Sequence, residues 1–268
     1  MSGTARKVEM IGTAGKVEMI GTARKVEMRG LFKEHIKDLK GFKIVFICDD
    51  STSMLKLVDY GKDKRRWDET KETLADLLFF ISQDPLVGKM SLESKVMFLN
   101  NQKGRSDFQI QAKANFQNQI KEQIEKQFSI EPLGQTLLKS CFEKATKSKK
   151  PEEKVLVIIL TDGSPSENPK EEADAIKNLK TALENKDANT HVSIVSCDND
   201  PATMKYLNDW DNNIANLDVL FDFQSEKKQI LEANDGKYDF KYDDYIGKVL
   251  LGSIVPELDS LDGCYLRE

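Results

Sequence analysis

Five oxygen-bearing side chains in three separate segments could together bind a hard cation. Asp49, Ser51 and Ser53 follow an apolar run in the pattern D-x-S-x-S, Thr136 stands in PLGQTLL, and Asp162 follows a second apolar run in LTDGSPS. Two carboxylates and three hydroxyls, without His or Cys, suit Mg²⁺, Mn²⁺ or Ca²⁺ and suit zinc poorly. With so few negative charges around it, a divalent ion could still accept a carboxylate from outside.

Each of these groups also has a simpler explanation in the local structure. Asp and Ser are common in turns and at helix N-termini, so the D-x-S-x-S and T-D-G segments could be ordinary turns. Thr136 could be a hydroxyl at the start of a helix. In extended backbone, however, Asp49, Ser51 and Ser53 point to the same side and could converge on one ion. The residue types alone leave both explanations open.

Short apolar runs alternate with amphipathic segments along most of the chain. The apolar runs predict five strands, over 42–48, 94–100, 154–163, 190–197 and 217–223. Apolar residues at helical spacing predict helices over 66–83, 114–128, 133–147, 168–186, 201–214 and 242–254. The alternation predicts a doubly wound α/β fold, with a mostly parallel central sheet and helices on both faces. Ligands of such sheets bind beyond the carboxyl ends of the strands, where Asp49 and Asp162 stand.

The first thirty residues differ from the rest of the chain because they consist of a short tandem repeat. GTARKVEMI, GTAGKVEMI and GTARKVEMR follow one another from Gly3 with a period of nine residues. Such short units bury little apolar surface, because known solenoid repeats have periods of about 20 residues or more. We therefore predict a disordered tail over 1–30, a linker over 31–41, one domain over 42–254 and a C-terminal tail over 255–268.

The composition and net charge of the chain indicate which classes of binding partner to expect. The chain has 268 residues, of which 39% are hydrophobic and 32% charged, and its net charge is −5. This acidic balance predicts neither nucleic acid nor a membrane as partner. The four cysteines lack CxxC or zinc-type spacing, and no signal-like or membrane-spanning apolar segment stands out. These features predict free thiols and a cytoplasmic location.

Catalytic arrangements are poorly represented. The segment DDSTS is superficially like the Asp-x-Asp-x-Thr loop of aspartate-dependent phosphatases, but position 51 is serine where that loop needs its second aspartate. The chain contains neither GxxxxGK[ST] nor GxGxxG. A nucleophilic Ser51 or Ser53 would need a base nearby, and only carboxylates are at hand. We predict a protein that is not an enzyme, with metal-assisted hydrolysis left as a minor alternative.

D-x-S-x-S, then G-x-T, then TDG, in this order on βα repeats, resembles the von Willebrand factor A domain with its metal-ion-dependent adhesion site. The resemblance covers roughly residues 42–254, and RWDETKETL, LNDWDNNI and KVLLGSI are similar to the intracellular protist and fungal type. It implies that Ser51, Ser53 and Thr136 bind Mg²⁺, or Mn²⁺ or Ca²⁺, through their hydroxyls. Asp49 and Asp162 would then act directly or through water.

The resemblance also carries expectations about topology and function. It implies the strand order 3-2-1-4-5-6, which separates Cys48 from Cys197 and argues against a disulfide between them. It implies a protein partner that presents a Glu or Asp to the metal, and a last helix, 242–254, that shifts on binding. A scaffold that needs no metal, or holds one only for stability, is the alternative.

Overall fold

The computed structural model describes most of the chain after the repeats. The residues described are 30–58, 63–83, 92–100, 102–111, 116–163, 165, 169–197 and 201–263. The predicted tail, apart from Gly30, lies outside this part, so its disorder and the boundary at residue 30 stay predictions. None of the helices in the described part combines the length and apolar character needed to cross a membrane.

A single six-stranded sheet forms the centre of the fold. Its strands are β1 (Phe42–Cys48), β2 (Glu93–Phe98), β3 (Phe108–Gln111), β4 (Lys154–Thr161), β5 (Thr190–Ser196) and β6 (Leu217–Leu220). Their order is β3-β2-β1-β4-β5-β6. All neighbouring pairs are parallel except β2 and β3, which are antiparallel. The doubly wound α/β prediction and the predicted strand order are therefore confirmed.

Helices cover both faces of this sheet. Within the described ranges they are α1 (Gly30–His35), α2 (Arg66–Gln83), α3 (Phe116–Phe128), α4 (Leu138–Thr146), α5 (Pro169–Glu184), α6 (Pro201–Asn213), α7 (Phe223–Ala233), α8 (Tyr242–Leu251) and α9 (Pro256–Asp259). The described part of the chain also contains the short 3₁₀ segments Ile36–Leu39, Thr52–Leu55 and Ser260–Asp262.

Successive side chains of the central strands point to opposite faces of the sheet and contribute to two separate hydrophobic cores, one on each face. From β1, Phe46 belongs to the same core as Trp67 and Val249, whereas Ile47 belongs to the other core, together with Trp210. Because both faces are covered, the strands are apolar almost throughout, as buried parallel strands require. This burial fixes the register of β1 against β4, and thereby the position of the loops that follow them.

Several segments differ from the sequence predictions. Residues 31–41, predicted as a linker, include α1 except for its first residue, Gly30, and the 3₁₀ segment Ile36–Leu39. Phe32 of α1 and Ile36 and Leu39 of the 3₁₀ segment are buried in the core. The predicted C-terminal tail begins with α9, where Leu258 is buried. Strand β3 and helix α7 were not predicted, and the helix predicted over 133–147 begins only at Leu138. Short elements give weak periodic signals, and packing decides them.

A buried charged cluster joins the last strand to the C-terminal helices. The Nζ atom of Lys248 lies 2.8 Å from Asp218 Oδ1, 3.2 Å from Glu226 Oε1 and 3.0 Å from Asp262 Oδ2. We call this group the Lys248 cluster; its members are Lys248, Asp211, Asp218, Glu226, Asp259 and Asp262. Carboxylate oxygens of Asp211, Asp218 and Asp262 lie within 4.8 Å of one another, and the ammonium of Lys248 contacts two of these three residues.

The cluster is electrostatically unbalanced. Burial raises the pKa of Asp218 and of Glu226 to about 7 despite the nearby ammonium. Burial and the charge of Asp218 raise the pKa of Asp259 to about 9. Burial alone would lower the pKa of Lys248, but the charges of Asp218 and Glu226 outweigh it and raise this pKa well above its usual value. Lys248 is thus held charged, and it is the main compensation for several buried carboxyl groups.

Candidate functional site

The carboxyl ends of β1 and β4 place Asp49 beside Asp162. The two strands are neighbours, and the Asp49 amide donates a hydrogen bond of 2.8 Å to the Leu160 carbonyl. Both carboxylates are buried, with 0% and 1% of their residues' surface exposed. Two negative charges thus share one water-poor location at the sheet edge where ligands of such folds bind.

Asp49 has hydrogen bonds but no cationic partner among the described residues. Its Oδ1 accepts from the Ser51 amide at 2.9 Å, and its Oδ2 accepts from the Thr161 hydroxyl at 2.7 Å. Burial and then the negative charge of Asp162 raise the pKa of Asp49 to about 7. A cation near Asp49 would remove this penalty, because an opposite charge favours the ionised carboxylate.

The hydroxyls of Ser51 and Ser53 point to a common place. Their Oγ atoms are 2.9 Å apart. Ser51 precedes the 3₁₀ segment Thr52–Leu55, yet its side chain makes no capping hydrogen bond. The turn explanation therefore accounts for Asp49, which accepts from a backbone amide two residues on, but leaves the pairing of these two hydroxyls unexplained.

Thr136 lies in the loop before α4 and not in a helix. The N-cap of α4 is Leu137, without a side-chain cap, so the capping explanation for the Thr136 hydroxyl is not supported. Thr136 is buried, and its Oγ1 atom has no hydrogen-bond partner among the described residues. A buried hydroxyl without a partner costs about 1–3 kcal/mol. A hydroxyl oxygen that binds a metal ion would look like this without the ion: buried and lacking a hydrogen-bond partner in the protein.

The fifth predicted residue, Asp162, contacts a cation that sequence reasoning missed. The Arg66 guanidinium donates to Asp162 Oδ2 at 2.8 Å, and both side chains are buried. Arg66 is the first residue of α2. Its partner Asp162 is 96 positions away in the sequence, and no local sequence pattern predicts an ion pair over that separation. Arg66 brings one positive charge to a place with two buried carboxylates.

Asp50 organises the loops around the candidate site, and this role was also missed. Its Oδ2 accepts from Arg105 at 2.6 Å, and its Oδ1 accepts from the amide and the side chain of Asn100 at 2.9 Å and 3.0 Å. Its carbonyl accepts from the Leu133 amide at 2.9 Å. Asp50 thus ties the loop after β2 and the Thr136 loop to the end of β1.

Gly134 shows how closely these loops pack. Its φ is +128°, and a Cβ atom there would stand 2.3 Å from Asn100 Oδ1. Gly134 also exchanges hydrogen bonds with Thr52, donating to its hydroxyl at 3.2 Å and accepting from its amide at 3.2 Å. The Thr136 loop therefore packs against the loop of Thr52 and the loop of Asn100. At position 134, where it contacts both, only glycine fits.

We expect Gly134→Ala to destabilise the fold by about 1–3 kcal/mol, the usual cost of a strained backbone position, with the Asn100 clash in addition. Gly41→Ala is the matched control, because Gly41 also has a positive φ, of +87°, but open space around it. Chemical denaturation of both variants measures the difference. Equal losses in the two variants would mean that the contact with Asn100 does not position the loop.

The structure therefore brings four of the five predicted residues together in two pairs and places the fifth, Thr136, in a loop that contacts the D-x-S-x-S turn. Asp49 stands close enough to Asp162 for their charges to interact, Ser51 touches Ser53, and Thr136 lies two residues beyond the Gly134 contact with Thr52. The donor set, with its buried hydroxyl lacking a partner, fits a hard divalent cation. Joint coordination by all five residues remains a prediction.

This fold and this sheet edge define a recognisable class of protein. The model of the von Willebrand factor type A domain matches residues 43–218, more than half of the chain. The chain therefore belongs to the von Willebrand factor type A domain family. A comparison with curated proteins finds no match.

Three of the solved structures that match this chain come from bacteria. The conserved hypothetical protein BatB from Bacteroides thetaiotaomicron is 22% identical, with a TM-score of 0.37 over 58% of this chain and 66% of that chain. An aerotolerance-related membrane protein from Bacteroides fragilis is 16% identical, with a TM-score of 0.37 over 58% and 67%. A von Willebrand factor type A protein from Catenulispora acidiphila is 17% identical, with a TM-score of 0.43 over 78% and 43%. The chain thus spans only part of these proteins.

Proposed function

We propose that this protein is a divalent-cation-dependent binding module, in which a metal-ion-dependent adhesion site receives a Glu or Asp from a protein partner. Mg²⁺ is the expected ion, with Mn²⁺ or Ca²⁺ as substitutes. Ser51, Ser53 and Thr136 would hold it through their hydroxyls, and Asp49 and Asp162 would hold it directly or through water. The observation that carries the proposal is the buried Thr136 hydroxyl without a partner, in a loop seated against the D-x-S-x-S turn.

Charge explains why an acidic ligand is expected. With Asp49 and Asp162 ionised, the charge of the arrangement is −2; Arg66 brings it to −1, and a divalent cation brings it to +1. A positive, partly buried centre favours one external carboxylate, since charged groups in water-poor places need a counter-charge. The ion would complete its coordination with that carboxylate.

The same residues offer little for catalysis. His35 binds Asp38, and His191 contacts the Ser253 carbonyl, so both histidines of the chain lie on contacts outside the candidate site. No lysine of the described residues contacts Asp49 or Asp162 within ion-pair distance. We therefore propose a binding protein of the protist and fungal type that is not an enzyme, with a metal-stabilised scaffold as the competing function.

Thr136→Val tests the proposal, because valine keeps the shape of threonine and removes only the hydroxyl. Without cations we expect equal or higher stability, since an unsatisfied buried hydroxyl is lost. We expect the affinity for Mg²⁺ and Mn²⁺ to fall about tenfold or more, because one ligand is lost. Isothermal titration gives the affinity, and thermal melts with EDTA give the stability.

Thr190→Val is the matched control, because its hydroxyl binds Asp187 at 3.2 Å at the opposite end of the sheet. This variant should lose stability and keep its affinity for cations. Wild-type affinity in Thr136→Val would contradict the proposed site. A large fall in the melting temperature of the wild-type protein on adding EDTA would favour the scaffold.

A further inference from the structure

The exposed leucines of this protein are not scattered over its surface. Four large hydrophobic side chains are exposed among the described residues: Leu55 (38%), Leu57 (54%), Leu133 (66%) and Leu137 (43%). Single exposed apolar residues are ordinary on protein surfaces, whereas a group at one place marks an interaction surface. All four fall in the two loops that carry Ser51, Ser53 and Thr136. We call them the apolar rim.

The two loops form one continuous surface. Thr52 and Gly134 exchange backbone and side-chain hydrogen bonds, and the Leu133 amide donates to the Asp50 carbonyl at 2.9 Å. Leu57 pairs with Arg65 in an isolated β-bridge. The backbones on both sides of the hydroxyls are therefore held in place, so the rim presents its leucines without further ordering of the main chain.

The charges around the rim favour an acidic ligand. Lys56 is exposed between Leu55 and Leu57, and it makes no ion pair with any other described residue. The carboxylate of Glu131, next to the Thr136 loop, is paired with Arg65 at 2.7 Å. The charge of Glu131, two residues before Leu133, is thus balanced by Arg65, while the exposed Lys56 could still pair with an acidic ligand.

We propose that the apolar rim recognises a partner segment in which one Glu or Asp is flanked on both sides by apolar residues. This inference rests on the proposed function, because the acidic residue would enter the cation site between the two loops. The apolar neighbours would cover Leu55 and Leu57 on one side and Leu133 and Leu137 on the other. A buried polar centre within an apolar surround is a common arrangement in protein interfaces.

A protein segment fits this surface better than a lipid bilayer does. Membrane-binding surfaces carry several Lys or Arg residues beside their apolar side chains that are free to bind anionic lipids. Beside the rim, by contrast, Lys64 and Arg65 are already held in ion pairs with acidic side chains of the protein. Lipid binding is nevertheless a distinct outcome that the same variants can reveal.

The test uses a library of nine-residue peptides with a fixed central Glu and all other positions varied. The full chain is screened with Mg²⁺ and with EDTA, and selected peptides are measured by titration. We expect apolar residues to be enriched within two positions of the Glu, on both sides, in the Mg²⁺ selection. Leu133→Ser/Leu137→Ser should bind these peptides at least tenfold more weakly and keep its Mg²⁺ affinity.

The control variants separate apolar recognition from damage to the loop. Gln135→Ser changes another exposed residue of the same loop and should bind like the wild type, and Leu133→Met/Leu137→Met should retain most of the affinity. Mg²⁺-dependent binding of Glu peptides without apolar enrichment, or with an unaffected double Ser variant, overturns this inference and leaves the proposed function standing. Absence of Mg²⁺-dependent binding to any Glu peptide overturns both. Retention on phosphatidylserine vesicles in EDTA that the double Ser variant loses would also overturn it.

Discussion

Replacing Lys248 by Met lowers the free energy of unfolding by about 3–5 kcal/mol, the cost of removing one partner from a buried ion pair. Methionine has a similar length, so packing changes little, but the carboxylates of Asp218, Glu226 and Asp262 lose the ammonium that they contact. Urea denaturation near pH 8 measures this loss. It is large against the usual stability of a single domain, about 5–15 kcal/mol.

The pH dependence of the same variant follows from the raised pKa values. The pKa of Asp218 and that of Glu226 are about 7 with the ammonium present, and loss of the ammonium raises them further. Lowering the pH from 8 to 5 protonates these groups and removes the uncompensated charge, so the deficit should shrink. Lys228→Met is the control, because Lys228 is 75% exposed and 3.9 Å from Glu232. A loss below about 1 kcal/mol for Lys248→Met, like that of a surface pair, would contradict the prediction.

Replacing Arg66 by Gln should cost a similar amount in EDTA, about 3–5 kcal/mol, because Asp162 is left buried without its guanidinium. Mg²⁺ should restore part of this loss in the variant, since a divalent cation supplies the missing positive charge. The affinity of the variant for Mg²⁺ should rise by about tenfold, because a repelling positive charge has been removed from the cation site. Titration and denaturation with and without Mg²⁺ test both effects.

Arg65→Gln is the neighbouring control. Arg65 is partly exposed and pairs with Asp68 and Glu131 on the surface, so its loss should cost at most about 1 kcal/mol. Its effect should be the same with and without Mg²⁺. If Arg66→Gln loses stability that Mg²⁺ cannot restore, Arg66 serves packing alone, and the charge argument for the cation site is wrong.

The long helices and strands could be predicted from the sequence, because the hydrophobic pattern within each of them is sufficient to identify it. The helix predicted over 66–83 is observed at those bounds, since its apolar residues from Trp67 to Ile81 fall on one helical stripe. The apolar runs predicted as buried strands over 42–48 and 154–163 are observed as β1 and β4, although β4 ends two residues earlier, at Thr161. Their neighbouring ends then brought Asp49 beside Asp162.

Features made by distant residues could not be read in this way. Strand β3 has four residues, FQIQ, and exists because β2 offers it an edge. The contact between Arg66 and Asp162 joins positions 96 apart, and that between Arg105 and Asp50 joins positions 55 apart. The partners of Lys248 likewise come from three different elements. From sequence alone a charged residue is predicted to lie on the surface, because charged residues are rarely buried. Only the fold shows which of them are buried beside an opposite charge.

Three of the four cysteines lie among the described residues, and all three are buried, so their thiols can report local opening of the fold. Cys48 precedes Asp49, Cys141 lies in α4 behind the Thr136 loop, and Cys197 follows β5, where its amide donates to the Thr161 carbonyl. Burial raises the pKa of all three thiols, so an alkylating reagent meets neither an exposed sulfur nor a thiolate in the folded state. The labelling rate of each thiol therefore reports how often its surroundings open. Motion at the sheet edge becomes measurable residue by residue, without attaching any label beforehand.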